Sequence, residues 1–172
     1  MNTPNKLTLL RMLLVPVFLV VAYMERGSQV YLYSTLVFCI ASFTDFLDGY
    51  LARKYDLVTD FGKFMDPLAD KVLVAASMIW LVQIGRLESF FVVIIVAREY
   101  AISILRAIAS VRGKVIAAGK SGKFKTVSQM IGTVLLLLNS SLGMPIMYIA
   151  LIATLYSGFE YIYNGRDLIK EM

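Results

Sequence analysis

DFLDGYLARKYDLVTDFGKFMDPLAD, the stretch from Asp45 to Asp70, lies between two long apolar segments and carries an acid pair at either end. An acid beside hydrocarbon is expensive unless it pairs, faces an aqueous cavity or binds a cation, so each of these aspartates marks a functional position. Spacing sharpens that reading. Asp45 and Asp48 are three apart and Asp66 and Asp70 four apart, so each pair shares one face of a helix. Like charges at those spacings repel. A divalent cation, or a pair of them, is the simple reason to keep them.

Composition narrows the chemistry. The 172 residues fit one domain, residues 1–172. An apolar fraction of 59% and a mean hydropathy of +0.73 set the chain apart from ordinary soluble proteins. There is no histidine, so zinc and facial-triad sites lose their nitrogen ligand. Oxygen donors remain, and these suit Mg²⁺, Mn²⁺ or Ca²⁺. Cys39 is the single cysteine, which excludes an internal disulfide; inside an apolar run it is expected as a small buried hydrophobe. A net charge of +5 on a soluble chain would suggest nucleic acid. On this one it points instead to anionic lipid headgroups or phosphorylated substrates, and no nucleic-acid partner is expected.

Outward from the acidic stretch, the apolar runs predict an all-α polytopic membrane protein with six transmembrane helices. Met1 to Lys6 is too short and weakly charged for a signal-peptide start, so the first apolar run is read as retained. Thr3 and Pro4 suit a helix N-terminus. The spans expected are Leu7–Met24, Val30 to about Arg53, the segment carrying Asp66 and Asp70 through Ile84, Phe90 to about Ile108, Val127–Leu138, and Met144–Tyr156. The fifth is short for a bilayer, where about 20 residues are needed, so it has to borrow Phe124 to Thr126. Polar turns are expected at Glu25–Ser28, Gly85–Glu88 and Asn139–Gly143. A loop at the membrane surface is expected over Lys54–Gly62, and a long basic loop over Ser110–Thr126.

Charge placement orients the spans. Lys6, Arg11, Arg53, Lys54, Lys63, Arg112, Lys114, Lys120, Lys123, Lys125, Arg166 and Lys170 fall on one side, whereas the opposite connections carry only Arg26 and Arg86. This is the positive-inside pattern. It places both termini and the acidic cluster on the cytoplasmic side, and the resemblance given below implies the cell's inner membrane.

For the four acids, several readings compete. Single members can be caps or solvated loop residues, as expected for Asp56 and Asp60. The set can pair with Arg53, Lys63 or Lys71 in a structural network, or line the path of a divalent-cation transporter. The metal reading is favoured because the pairs converge from neighbouring helices. Hard cations at a membrane surface serve phosphate chemistry, neutralising and orienting a diphosphate as a P–O bond breaks. Gly49 and Ala52 allow a ligand or helix to approach closely, and Arg53 adds a donor fork for phosphate or carboxylate.

The stretch resembles the signature of the CDP-alcohol phosphatidyltransferases, D-x2-D-G-x2-A-R-x8-G-x3-D-x3-D. It matches at Asp45, Asp48, Gly49, Ala52, Arg53, Gly62, Asp66 and Asp70, with no departure. Eight fixed positions at fixed gaps are far more specific than a lone glycine motif. The resemblance implies a six-helix membrane domain over nearly the whole chain and a homodimer. It also implies two Mg²⁺ or Mn²⁺ ions held by Asp45, Asp48, Asp66 and Asp70, with Asp48, Gly49, Ala52, Arg53 and Gly62 around the donor CDP-diacylglycerol. Asp70 is the implied general base.

Outside the signature, PNKLTLLR from Pro4 to Arg11 and the Ala97-Arg98-Glu99 triplet resemble the phosphatidylglycerophosphate synthase branch of that family, whose acceptor is glycerol 3-phosphate. Asn5 and Thr8 then join the substrate site. Arg98 and Arg106, eight apart and near one helix face, supply the cationic pocket that an anionic acceptor needs. Glu99 can pair locally with one of the two arginines. Gly113 to Ser121 imitates a phosphate-binding loop but has one residue too many and no preceding strand. Lys114, Lys120, Lys123 and Lys125 of the basic loop are read mainly as lipid-facing charges that set topology, with Lys114 and Lys123 favoured to close the acceptor pocket. Other acceptor branches, making phosphatidylinositol phosphate or cardiolipin, remain the alternatives.

The orientation is testable. In a Cys39-free background, single cysteines at Ser28, Ser89 and Ser141 should react with an impermeant thiol reagent from outside intact cells, and one at Ser121 should not. The opposite pattern would overturn the assignment.

Overall fold

The computed structural model describes the backbone of residues 3–54, 60–111 and 120–164, and the side chains of residues 8–44, 68–69, 71–109 and 121–163. Within them the chain forms six helices and no strand: α1 (Thr3–Met24), α2 (Leu32–Lys54), α3 (Asp60–Gln83), α4 (Ser89–Val111), α5 (Lys120–Leu137) and α6 (Gly143–Asn164). α1 packs along α2 and α3, α5 packs along α6, and α4 joins the groups by touching α3 and α6. Further contacts run from α5 to α2 and α3.

The polarity of this bundle is turned inward. Thr8, Arg11, Ser34, Thr35, Ser77, Lys125, Gln129, Thr133 and Thr154 are buried, alongside a core of Phe18, Phe38, Leu73, Met78, Leu81, Phe91, Ile95 and Leu137. Leu13, Val20, Ile40, Phe43, Ile79, Val93, Ile104, Ile152 and Phe159 face outward on every side from which they are described. Exposed apolar surface on this scale marks contact with something other than water. Buried hydroxyls find partners by bonding back into their own helices, as Thr35 does to Tyr31 O, Ser77 to Val74 O and Thr154 to Ala150 O. Gly132 permits α5 and α6 to close up: a Cβ there would lie 3.3 Å from the backbone nitrogen of Met147.

Three turns at one end of the bundle are stopped by left-handed residues, Gly27, Gly85 and Asn139. After α3, the Arg86 amide donates to Leu81 O and the Gly85 amide to Val82 O. After α5, the Ser140 amide donates to Leu135 O and the Asn139 amide to Leu136 O. Both are paired C-terminal caps that satisfy the helices' last carbonyls. Arg86 then ties the turns together. Its terminal nitrogens donate to Leu136 O and Leu137 O at 2.9 Å and to Gln29 O at 2.6 Å, and its guanidinium lies 5.0 Å from the Tyr31 ring. An arginine at a helix C-terminus also complements the macrodipole.

Several expectations are corrected. α5 begins at Lys120, ahead of the Phe124–Thr126 extension expected for it, so much of the expected basic loop is helix. Lysine is a good helix former, and the Thr126 hydroxyl bonds back to Gly122 O in that first stretch. α3 begins at Asp60, which takes Gly62 out of the expected surface loop and into the helix. α6 continues past Tyr156 to Asn164 because Ser157 and Tyr161 remain buried against the bundle. Cys39 is exposed, on the outer face with Leu36, Ile40 and Phe43, rather than buried. Among the described residues one helical stretch, Gly143–Tyr163, is by itself long and apolar enough to cross a membrane. The apolar stretches Thr8–Met24, Leu32–Thr44 and Lys71–Gln83 are shorter.

The α1–α2 turn carries a pH-sensitive cap. Glu25 accepts from the Tyr33 amide at 2.9 Å, the Ser34 amide at 2.8 Å and the Ser34 hydroxyl at 2.5 Å, placing a carboxylate at the α2 N-terminus. Burial pushes its pKa up, but the bonds from Ser34, Tyr33 and Leu32 outweigh burial and hold it below the ordinary 4.5. A depressed folded-state pKa contributes stability above the ordinary value and loses it as pH falls through the folded value. Wild type minus Glu25→Gln in melting temperature should therefore be constant near neutral pH and shrink as pH drops below the ordinary glutamate range. A difference that is flat on acidification would remove Glu25 as the cap.

Candidate functional site

The acidic signature occupies the C-terminal part of α2 and the N-terminal part of α3. Asp45, Asp48, Gly49, Ala52 and Arg53 lie on α2, and Gly62, Asp66 and Asp70 on α3. These two helices touch, and residues 55–59 connect them, so both acid pairs fall at the same end of the bundle. That end is opposite to the turns tied by Arg86. The side chains of all eight signature residues, and of Asn5, lie outside the described set, as does Lys114 altogether. Among the described residues no three His, Cys, Asp or Glu side chains gather into a metal-sized group. The donor set nevertheless suits a hard divalent ion, because carboxylates at helical spacing on two touching helix ends offer oxygen ligands alone.

Beside the signature lies a polar network whose side chains are described. Glu99, midway along α4, accepts at one oxygen, Oε1, from Arg98 Nη1 at 2.8 Å and from Lys125 Nζ of α5. The other terminal nitrogen of Arg98 donates to the Ser157 hydroxyl of α6 at 2.9 Å. Gly158 makes room for that arginine, since a Cβ there would come within 3.2 Å of Arg98 Cγ. Lys71, next in the chain to Asp70, donates to the Ser103 hydroxyl, and Ser103 in turn donates to the backbone oxygen of Glu99 at 2.7 Å. The network therefore joins α3, α4, α5 and α6 at one level. Lys71, Glu99 and Lys125 line a small open cleft that continues between α3, α4 and α5 along Val74, Met78, Ile95 and Gln129.

The two arginines differ in setting. Arg98 is half-buried, whereas Arg106 is exposed, donates from Nε to the Tyr161 hydroxyl at 3.0 Å and lies 5.2 Å from the Tyr161 ring. Sequence reading paired Glu99 with only one of the two arginines, because a phenol on α6 does not register as a partner for the other. Thr8 is buried in α1, three residues before the fully buried Arg11. A buried guanidinium needs compensation inside the bundle, which makes Arg11 part of the protein's interior.

Lys125 was missed. It was grouped with lipid-facing charges, yet it is buried, while Lys123, favoured for the acceptor pocket, is exposed. The sequence did carry a signal. Lys125, Ser128, Gln129, Thr133 and Leu136 recur at helical spacing, and this is the buried stripe of α5.

Comparison with known proteins fits this arrangement. The chain is 39% identical over 188 residues to the CDP-diacylglycerol–glycerol-3-phosphate 3-phosphatidyltransferase of Bacillus subtilis (strain 168), covering 98% of this chain and 97% of the relative. It is 36% identical over 169 residues to the protein of that name in Rickettsia typhi, covering 93% and 94%. For the one in Salmonella typhimurium the values are 37% over 182 residues, covering 99% and 98%. A family model described as CDP-alcohol phosphatidyltransferase matches residues 1–156, spanning α1 to the middle of α6 and with them both acid pairs. The eight-residue signature is thus one part of a kinship that runs through the bundle, and the chain belongs to the CDP-alcohol phosphatidyltransferase family.

Proposed function

We propose that this protein transfers the phosphatidyl group of CDP-diacylglycerol to glycerol 3-phosphate, giving phosphatidylglycerophosphate and CMP in phospholipid biosynthesis. The carrying observation is near-full-length similarity to relatives named for this reaction, in a chain that keeps every signature position. The outward-facing apolar surface supports a seat in the cell's inner membrane, with six helices crossing and both termini and the site on the cytoplasmic side. The chain forms one catalytic domain and works as a homodimer.

In this reading Asp45, Asp48, Asp66 and Asp70 hold two Mg²⁺ or Mn²⁺ ions, which when bound neutralise the donor's diphosphate and the charge developing on it. Gly49, Ala52 and Gly62 leave room for the cytidine diphosphate, and Arg53 donates to it. Asp70 takes the proton from the acceptor hydroxyl. That oxygen bonds to the phosphorus carrying diacylglycerol, the P–O bond to the cytidylate breaks, and CMP leaves with the bonding pair. Arg98, Arg106, Lys114 and Lys123, with Asn5 and Thr8 from α1, orient the acceptor. Holding both reactants at this angle contributes orientation as well as charge stabilisation.

The acids can be separated from general surface charge. Asp45→Asn, Asp48→Asn and Asp66→Asn should each remove most CMP release by purified protein with Mg²⁺, since a neutral oxygen is a poorer ligand. Asp56→Asn and Asp60→Asn should stay near wild type. Equal losses at all five would sink the metal assignment.

Arg106 tests the acceptor. Arg106→Ala should lower kcat/KM for glycerol 3-phosphate about tenfold or more and leave CDP-diacylglycerol binding unchanged. Arg106→Lys should rescue only in part, because it keeps the charge and loses the fork. An unchanged acceptor titration, or an equal loss of donor binding, would remove Arg106 from the pocket.

A further inference from the structure

Lys71 follows the last acid of the signature in the chain, and its ammonium donates across to the Ser103 hydroxyl of α4. We infer that Ser103 is a positioning residue for the metal site: by holding Lys71 it sets the rotation of the signature-bearing end of α3, and with it the affinity for the divalent ion. The inference rests on the metal reading above and adds a residue of α4 to it.

The direction of the bonds makes Ser103 an acceptor toward α3. A serine hydroxyl has one proton and two lone pairs, and this proton goes to Glu99 O, 2.7 Å away in the same helix. What remains can only receive, so a donor from α3 fits it, and Lys71 supplies that donor. Lys71 makes a further interaction as well, so Ser103 is its seat on α4 rather than its sole partner. Position gives the bond its leverage. Towards its C-terminus α3 is locked by the buried side chains of Leu73, Met78 and Leu81, whereas Asp60 to Asp70 form its other end, and Lys71 lies where the two meet. Ala69 is buried on the signature side, but apolar packing there is non-directional, while a hydrogen bond to a fixed hydroxyl has a preferred angle. Positions 66 and 70 fall about 40° apart around a helix, and position 71 about 100° beyond 70, so a tie at 71 sets the azimuth of both acids. A rotation of about 10° moves a group about 6 Å from the helix axis by roughly 1 Å. Mg²⁺ takes oxygen ligands at about 2.0–2.1 Å in near-ideal octahedral geometry, so a shift of that size costs affinity.

The full chain, purified in detergent and freed of metal, tests this by titration with Mn²⁺, read as loss of the free ion's electron paramagnetic resonance signal, alongside the melting temperature. Ser103→Ala should raise the Mn²⁺ Kd about fivefold or more. Ser103→Thr, which keeps the hydroxyl, should stay within about twofold of wild type. Ser77→Ala removes another back-bonded hydroxyl from α3, away from the signature, and controls for general loss of stability; its Kd should match wild type. Should Ser103→Ala fold poorly, Ser103→Cys, a weak acceptor of similar size, carries the same expectation. A merely structural bond would lower the melting temperature of the metal-free protein and leave the Kd of the Ser103 variants alone, and that result overturns the inference. An equal rise in Kd for Ser77→Ala overturns it too, as does a Ser103→Thr protein that binds no better than Ser103→Ala. If wild-type protein took up no Mn²⁺ at all, the metal reading itself would fail, a result distinct from any of these.

Discussion

A cation inside an apolar bundle has to meet an anion, and in this protein Glu99 meets two. Two unit charges about 4 Å apart interact by roughly 4 kcal/mol at an effective dielectric of 20, so unscreened neighbours of like sign would push α4 and α5 apart. With Glu99 between Arg98 and Lys125 the same charges become the tie that holds α4 to α5, while Ser157 and Ser103 extend it to α6 and α3. A purely apolar interior would fill the space as well. It would leave no shared polar group at this level to join four helices through one residue.

Much of the architecture is written locally. Each apolar run gave a helix, and the turns at Gly27, Gly85 and Asn139 fall where polar residues and left-handed backbone coincide. Helix ends in charged segments were less legible. Lysine and glycine near Lys120 and Gly122 look like loop, yet tertiary burial of Lys125 and Ser128 draws them into α5. Cys39 was misjudged for a related reason: in a chain whose surroundings are apolar, a hydrophobic residue gains nothing by turning inward, so composition alone does not say which face is the core.

The site was legible in proportion to how local it is. The acidic signature stands within one continuous stretch, and helical spacing alone pairs its members. The polar network beside it is assembled from residues far apart in the chain, Lys71, Glu99, Lys125 and Ser157, and no single segment announces it. Arg98 and Arg106 stood out because charge in an apolar helix is conspicuous. Their partners did not, since serine and tyrosine are unremarkable in a membrane helix.

The tied turns at the opposite end have a consequence for how the chain is made. Arg86 reaches carbonyls 50 and 51 residues further along, at Leu136 and Leu137. Until synthesis has passed those residues, Arg86 has no α5 end to hold. The α3–α4 hairpin must therefore wait for α5 to be made before this tie can form. Once α5 arrives, one side chain fastens the turn before α2, the turn after α3 and the end of α5 together, and the order of emergence becomes part of the fold.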